Sequence, residues 1–158
     1  MLLKLALILI STSCLALPKD TVIIRGASMA PCLQNGQKVE VRYKDFEISK
    51  DSIVVFKHKN KTITKRVVAL PNDKFSIMKK DKCYQLKINN KVQKTLSEKN
   101  YCFERKMISY LSEAYKNKIP KLSYLVLGEV PSGSEDSSLF GLIEKKQIIG
   151  VLTNIKCN

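Results

Sequence analysis

The sequence of 158 residues is poor in the residue types on which many metal sites and most disordered chains depend. It has one histidine, six glycines and five prolines, and it has no Cys-x-x-Cys pair. A single histidine without paired cysteines argues against a zinc site, and we expect neither a metal nor another cofactor. With 44% hydrophobic and 27% charged residues, the composition is that of a globular chain and not of a disordered one. The length suits one domain, with room for a small inserted subdomain.

Acidic residues are half as frequent as basic ones, 14 against 28, which gives a formal net charge of +14. Such an excess favours an anionic partner. The lysines are scattered along the chain and form no basic stripe with interleaved aromatic residues, so we expect no nucleic-acid partner. We interpret them first as a solvated lysine-rich surface and second as a contact with anionic membrane lipid.

Five cysteines do not define a disulfide pattern, because their number is odd and their geometry is unknown. In an exported protein, Cys83 and Cys102 could bridge the central segment. Free thiols are the preferred interpretation. We expect Cys32 to be a small buried residue.

The amino terminus is apolar from Leu2 to Leu17 except for Lys4 and three small polar residues, and Pro18 ends the run. Residues 1–18 are therefore predicted to be a membrane anchor or a signal segment. The stretch after Lys4 is shorter than the ~20 residues that span a bilayer, and Cys14-Leu15-Ala16 has the small alternate residues of a signal-cleavage site. We favour a retained anchor over a cleaved and exported form. Either one places residues 19–158 on the non-cytoplasmic side, at an inner membrane facing the periplasm or at the cell surface.

The remainder is predicted to be mainly β. Asn89-Asn90 indicates a tight hairpin, because asparagine tolerates left-handed backbone conformations, and apolar residues at helical spacing predict one amphipathic helix within 103–116. Alternating apolar and β-branched residues predict strands at Thr21–Arg25, Lys38–Tyr43, Ile53–His58, Thr62–Ala69, Tyr84–Ile88, Tyr124–Leu127 and Ile148–Ile155.

Ser28 directly follows an apolar strand, and a serine hydroxyl becomes a nucleophile only when a base accepts its proton. His58 is the only histidine that could do so. A lysine is the other option, provided that burial lowers its pKa from about 10.4 toward neutrality. Lys65 lies in the mostly apolar run from Ile63 to Pro71 and partly meets that condition.

Four stretches, in order, resemble signal peptidase I, the serine-lysine peptidase of exported proteins. Its Ser-Met-x-Pro-Thr-Leu block is similar to Ser28–Leu33, and its Lys-Arg-hydrophobic-Gly-Leu-Pro-Gly-Asp block to Lys65–Asp73. Its Tyr-Phe-hydrophobic-Leu-Gly-Asp run resembles Tyr124–Glu129, and its Ser-x-Asp-Ser-Arg-aromatic-x-Gly run resembles Ser134–Gly141.

The resemblance implies an antiparallel β catalytic domain over residues 19–158, with an inserted subdomain at about 74–122 that contains the helix. It also implies an endopeptidase that cleaves signal peptides from exported preproteins after small residues. Ser28 would be the nucleophile and Lys65 the general base. Met29, Pro31, Arg66 and Asp136 would support them, and Ser134 would orient the lysine.

Two of the departures from the family pattern bear directly on the catalytic residues. Gly26 stands where a hydroxyl often supports the oxyanion hole, which leaves mainly the backbone N–H of Ser28 to bind the oxyanion. Ser138 replaces the arginine that pairs with the late aspartate, so Asp136 would need another partner, for which Arg66 is the candidate.

Two alternatives remain open. The first is a sister enzyme with the same chemistry, either a dedicated peptidase that matures a pilin or a conjugative-transfer substrate or an organelle-type inner-membrane peptidase. The second is not an enzyme but an exported basic β module that binds lipid or an envelope protein.

Overall fold

The computed structural model describes residues 20–130 and 133–157. The predicted anchor or signal segment, residues 1–18, lies outside these ranges. Within the described residues, no helix combines the length and the apolar character needed to cross a membrane.

Seven strands form the larger sheet, and every neighbouring pair is antiparallel. Its spatial order is β1-β2-β10-β3-β4-β8-β9. The strands are β1 (Asp20–Ile23), β2 (Lys38–Arg42), β3 (Ile53–His58), β4 (Lys61–Ala69), β8 (Ser123–Leu127), β9 (Ile143–Glu144) and β10 (Ile148–Thr153).

The sequence explains which of these strands are central. The first four residues of β3 are all apolar and all buried, as expected for a strand covered on both faces, whereas β10 alternates buried and half-buried positions. All seven strands predicted from the sequence are present with ends shifted by two residues or fewer. The expectation of a mainly antiparallel β fold is confirmed.

A smaller sheet of three strands, β5 (Phe75–Lys80), β6 (Cys83–Ile88) and β7 (Lys91–Val92), precedes helix α1 (Arg105–Tyr115). Asn89 and Asn90 connect β6 to β7 with φ angles of 47° and 68°, which confirms the predicted hairpin. Strand β5 was not predicted. These elements lie within the insertion expected at about 74–122, although the division of the chain into a domain and a subdomain stays a prediction.

Apolar packing joins the two sheets. Phe75, Leu86 and Tyr101 from the smaller part share one buried cluster with Val68 of β4 and Leu125 of β8. The insertion is therefore anchored on the two strands that lead to the site described below.

The cysteines include one pair that the sequence did not predict. Cys32 is buried, as expected, and forms a disulfide with Cys157, 125 residues away. Cys83 and Cys102 have free thiols, as the preferred interpretation had it. Because Cys157 lies beyond β10, the disulfide ties the carboxyl-terminal tail to the turn that follows β1.

Candidate active site

Ser28 lies in a turn that continues from β1. The backbone N–H of Ile24 donates to Gln37 and its carbonyl accepts from Gly36, which extends the pairing of the strand. Gly26 then adopts φ +86°, a conformation that glycine reaches at little cost, and its N–H donates to Asn35 Oδ1. The chain turns there and presents Ser28 at the end of the strand.

Side chains that follow Ser28 fix this turn to the core. Met29 is 2% exposed and Leu33 is fully buried, and both belong to the cluster that includes Val39 and Val41 of β2. Met29 therefore packs inward while Ser28 stays half-buried and accessible. Pro31 follows a cis peptide bond in the same turn and is exposed.

Lys65 lies on β4 opposite Val54 of β3 and is only 3% exposed. Its Nζ donates to Ser28 Oγ at 2.6 Å and to the carbonyl of Thr64 at 3.1 Å. The two side chains that the sequence singled out are thus in direct hydrogen-bond contact.

Burial lowers the pKa of Lys65, because the protonated amine loses its hydration, while the negative charges of Asp136 and Glu135 oppose that shift. The net effect is downward. Lys65 therefore gives up its proton more readily than a lysine in water, as a general base must.

Asp136 is 2% exposed and is held by neighbours other than the one expected. Its Oδ1 accepts from the backbone N–H and the hydroxyl of Ser138, and its Oδ2 accepts from the N–H of Gly128. Ser138, the residue that replaces the arginine of the family pattern, thus supplies the missing partner. The expectation that Arg66 would pair with Asp136 is wrong.

Arg66 makes a buried ion pair with Glu129, at 2.5 Å between Nε and Oε1, and a second one with the half-exposed Asp51 at 2.6 Å. Its Nη2 donates to the Lys94 carbonyl and to the Tyr101 hydroxyl. Because β4 places Arg66 directly after Lys65, these contacts fix the strand beside the lysine.

Ser134 is buried, and its hydroxyl has no hydrogen-bond partner among the described residues. It lies against Gly128, where an added Cβ would collide with Ser134 Oγ and would stand 2.6 Å from the Ser28 carbonyl oxygen. An unpaired buried hydroxyl is costly and calls for a functional explanation. The predicted hydrogen bond from Ser134 to Lys65 is not formed in this structure.

A cleft of about 600 Å³ opens at the hydrogen-bonded pair of Ser28 and Lys65, called the dyad below. Residues 22–29 line one side of it and residues 61–65 line the other. Strand β1 is an edge of the sheet, and β8 pairs with β4 only from Arg66 onward. Within the described strands, the edge of residues 61–65 that faces away from β3 is therefore unpaired. Two free backbone edges border the same cleft.

Sequence reasoning missed three residues in or near the site. Tyr101 stands in the insertion without a local motif, and its contact with Arg66 follows only from the packing of the two sheets. Cys157 gave no signal beyond its position near the end of the chain. Glu129 fell within a matched block, but the sequence did not identify it as the partner of Arg66.

Comparison with known proteins gives one family. A family model described as "Signal peptidase, peptidase S26" matches residues 1–155. Signal peptidase IB of Staphylococcus aureus (strain Mu50) is 37% identical over 142 residues, which cover 80% of this chain and 72% of that protein.

Two further matches are more distant. A protein named inactive signal peptidase IA, from Staphylococcus aureus (strain COL), is 24% identical over 131 residues, covering 81% of this chain and 73% of that protein. The crystal structure of a signal peptidase I from Enterococcus faecalis V583 is 23% identical and covers 68% of this chain and 98% of that chain, with a TM-score of 0.48.

Proposed function

The chain belongs to the signal peptidase family, peptidase S26, and on that premise we propose that it is a serine endopeptidase that removes signal peptides from exported preproteins. Ser28 is the nucleophile and Lys65 is the general base. The observation that carries the proposal is the 2.6 Å hydrogen bond between Lys65 Nζ and Ser28 Oγ, formed by a lysine that is almost fully buried. One relative is named inactive, so membership of the family does not by itself establish catalysis. The hydrogen-bonded pair of Ser28 and Lys65 is the feature of this chain that supports it.

Acylation begins with Lys65 neutral. Ser28 Oγ attacks the scissile carbonyl carbon while its proton passes to Lys65 Nζ, and the carbonyl oxygen becomes an oxyanion. We expect the backbone N–H of Ser28 to donate to that oxyanion, since Gly26 offers no hydroxyl. As the C–N bond breaks, the Lys65 ammonium gives its proton to the leaving amine and an ester remains on Ser28.

Deacylation repeats these steps with water. Neutral Lys65 accepts a proton from a water molecule that attacks the ester carbon, and then returns a proton to Ser28 Oγ as the ester bond breaks. The products are the free carboxyl end of the signal peptide and the mature protein released in the first step. The residues present account for every proton, so the cycle needs no cofactor.

The two free edges suit an extended substrate. A peptide that enters the cleft as a strand can hydrogen-bond to the backbone of residues 61–65 and to the outer edge of β1. Alternate side chains of that peptide then point at the same wall of the cleft, which includes the apolar residues Val55 and Ile63. We therefore propose that the first and third residues before the scissile bond must be small, alanine above all.

The other residues that match the family pattern support this arrangement. Asp136 and Arg66 fix the backbone on either side of the dyad, and Met29 and Pro31 shape the nucleophile turn. We propose that Ser134 orients Lys65 through a hydrogen bond that is not formed in this structure, and such a bond would give its buried hydroxyl a partner.

Localisation follows from the same proposal. Residues 1–18 anchor the chain in the membrane, the catalytic part lies on the non-cytoplasmic side, and scattered lysines contact anionic lipid. A dedicated substrate, such as a pilin or a conjugative-transfer protein, would use the same chemistry, and a panel of candidate preproteins would distinguish that role from general processing.

The test is cleavage of a preprotein by the purified, detergent-solubilised chain. Wild type should cut after small residues, and replacing alanine by leucine at the first or third position before the bond should abolish cutting. Ser28→Ala and Lys65→Ala should be inactive, whereas the exposed-site controls Ser76→Ala and Lys57→Ala should match wild type. Unchanged cleavage by Ser28→Ala would refute Ser28 as the nucleophile. A wild type that cleaves no preprotein would refute the peptidase and leave the non-enzymatic binding module.

A further inference from the structure

Tyr101 is a buried tyrosine that connects the insertion to the dyad. It is 1% exposed, packs with Leu125 and Leu127 of β8, and stacks on Phe103 with 5.4 Å between ring centroids. Its hydroxyl accepts a hydrogen bond from Arg66 Nη2 at 3.0 Å and donates to the carbonyl of Gly128 at 2.6 Å. A buried tyrosine hydroxyl with both a donor and an acceptor is fully satisfied.

The carbonyl that Tyr101 holds belongs to the same peptide group that contacts the nucleophile. The N–H of Glu129 donates to the carbonyl of Ser28 at 2.8 Å. Gly128 C=O and Glu129 N–H are the two ends of one planar unit, so fixing the direction of the carbonyl also fixes the direction of the N–H. A continuous chain of donors thus runs from Arg66 through Tyr101 and this peptide to Ser28.

Gly128 explains why the peptide has to be held. A side chain at that position would collide with Ser134 and with the Ser28 carbonyl, so the close approach requires glycine. Glycine also has the widest backbone freedom of any residue. Two hydrogen bonds restrict that freedom here, one from Gly128 N–H to Asp136 and one from Tyr101 to the Gly128 carbonyl.

We propose that Tyr101 is a positioning residue of the reaction, whose hydroxyl holds the Gly128–Glu129 peptide in the orientation that fixes the backbone of Ser28. The inference rests on the proposed peptidase function. Hydrogen bonds in series polarise one another, and Arg66 at the head of the chain carries a positive charge. The Glu129 N–H that reaches Ser28 is therefore a stronger and better directed donor than an isolated amide.

The same insertion segment makes two more contacts close to the dyad, one with Arg66 of β4 and one with Glu129, which follows β8. The Lys94 carbonyl accepts from Arg66, and the Leu96 N–H donates to Glu129 Oε2. The smaller part of the fold therefore contributes to the active site through Tyr101 and does more than cover the larger sheet.

The experiment compares Tyr101→Phe with wild type in the full-length, detergent-solubilised enzyme on one preprotein. Phenylalanine keeps the ring in its cluster and removes only the oxygen. We expect kcat to fall about tenfold, the fold-change of one hydrogen bond of ordinary net strength, while KM stays within about twofold. The control Tyr115→Phe removes a tyrosine hydroxyl from α1, where it accepts from Leu142 N–H at 3.4 Å, and should keep wild-type kcat.

A second variant separates positioning from stability. In 4-aminophenylalanine at position 101 the amino group can still donate to the Gly128 carbonyl, so kcat should return to within about threefold of wild type. Each kcat is referred to the folded fraction measured by circular dichroism, so that a loss of stability alone does not count as support. Should Tyr101→Phe not fold, 4-methylphenylalanine replaces it as the variant of similar size without a donor.

The outcomes distinguish this inference from the function on which it rests. A wild-type enzyme that does not cleave the preprotein overturns both. Active wild type, inactive Ser28→Ala and wild-type kcat in Tyr101→Phe overturn the role of Tyr101 alone. Equal kcat in the donor and non-donor variants, or a change in KM without a change in kcat, also overturns it.

Discussion

Lys65 and Ser28 are 37 residues apart in the sequence, and a hydrogen bond of 2.6 Å joins their side chains. Three strands, β2, β10 and β3, separate β1 from β4 in the sheet. The pair can therefore meet only because the sheet curls until the turn after its edge strand approaches β4. Twisted antiparallel sheets curl in this way, and here the curl creates the cleft.

The dyad predicts a specific pH dependence. Because burial lowers the pKa of Lys65 against the opposing charges of Asp136 and Glu135, the neutral amine becomes available as pH rises through that lowered pKa. The acidic limb of kcat/KM in the free enzyme should report this ionisation. A pH-rate profile of wild type measures this ionisation. Lys65→Arg, assayed over the same pH range, should be inactive.

His58 provides the control for this profile. Its ring stacks on Phe140 with 4.3 Å between centroids, and His58→Ala should leave the acidic limb in place. An acidic limb near pH 6.5, about the ordinary pKa of histidine, that vanishes in His58→Ala would transfer the base role to the histidine.

Buried Lys65 should also lower the stability of the fold, and the direction of its pKa shift sets how this effect changes with pH. Its pKa in the folded state lies below the ordinary lysine value of 10.5, so between these two pKa values the unfolded chain binds more protons and stability rises with pH. Lys65→Met should therefore raise the free energy of unfolding at pH 7, by about 1.4 kcal/mol for each unit of pKa depression. The gain should shrink toward pH 10.5. Urea unfolding at pH 7 and pH 10 tests this, with the exposed Lys57→Met as a control that should gain nothing.

Much of this site could be predicted because its signals are local. Ser28 and Lys65 lie in short sequence motifs that occur in the same order as in the family pattern. Strand β3 was predicted with its observed ends because its apolar run is continuous. The Asn89-Asn90 hairpin was predicted because asparagine reaches positive φ at little cost.

What could not be predicted depends on contacts between distant segments. Arg66 was given the wrong partner because no local pattern shows that Glu129 shares its buried pocket, or that Ser138 can satisfy Asp136 with a hydroxyl and an N–H. Strand β5 was missed because most of its residues are exposed or half-buried and two of its six are lysines, which hides any alternation. Cys32 and Cys157 lie 125 residues apart, and only the folded sheet brings them together.

Gly128→Ala should damage the site by collision. The new Cβ would overlap Ser134 Oγ and stand 2.6 Å from the Ser28 carbonyl oxygen, so the nucleophile turn would have to move. We expect kcat to fall by at least about tenfold, because displacement of reacting groups by roughly 1 Å is enough for such a loss. Gly36→Ala is the matched control: φ is +82° with open space around the site, so it should cost about 1 kcal/mol of stability through backbone strain but keep kcat. Equal kcat in the two variants would contradict the steric explanation.

Glu129→Gln should be strongly destabilising. The side chains of Arg66 and Glu129 are 3% and 1% exposed. Removing the carboxylate charge leaves the guanidinium buried, with the half-exposed Asp51 as its remaining counter-ion among the described residues. Breaking a buried pair in this way costs about 3–5 kcal/mol. The exposed pair of Lys94 and Glu98 supplies the control, and Glu98→Gln should leave the urea midpoint unchanged. A similar small shift in both variants would mean that the Arg66–Glu129 pair is hydrated in solution.

The Cys32–Cys157 disulfide should make stability dependent on redox conditions. It closes a loop across most of the described chain, and in the chain-entropy treatment a loop of this length stabilises the fold by roughly 4–5 kcal/mol. Cys32 also lies four residues after Ser28 and packs in the same cluster as Met29, so the disulfide ties the turn that carries Ser28 to the tail after β10.

We therefore expect dithiothreitol to lower the urea midpoint of wild type. The double variant Cys32→Ser with Cys157→Ser should have this lower midpoint from the start and should not respond to dithiothreitol. The double variant Cys83→Ser with Cys102→Ser removes the two thiols that are free in the described residues, and its midpoint should respond to dithiothreitol as that of wild type does. Titration of the denatured wild-type protein should detect two more thiols after reduction than before it. If reduction adds no thiol and dithiothreitol does not change the midpoint, Cys32 and Cys157 are unpaired in solution.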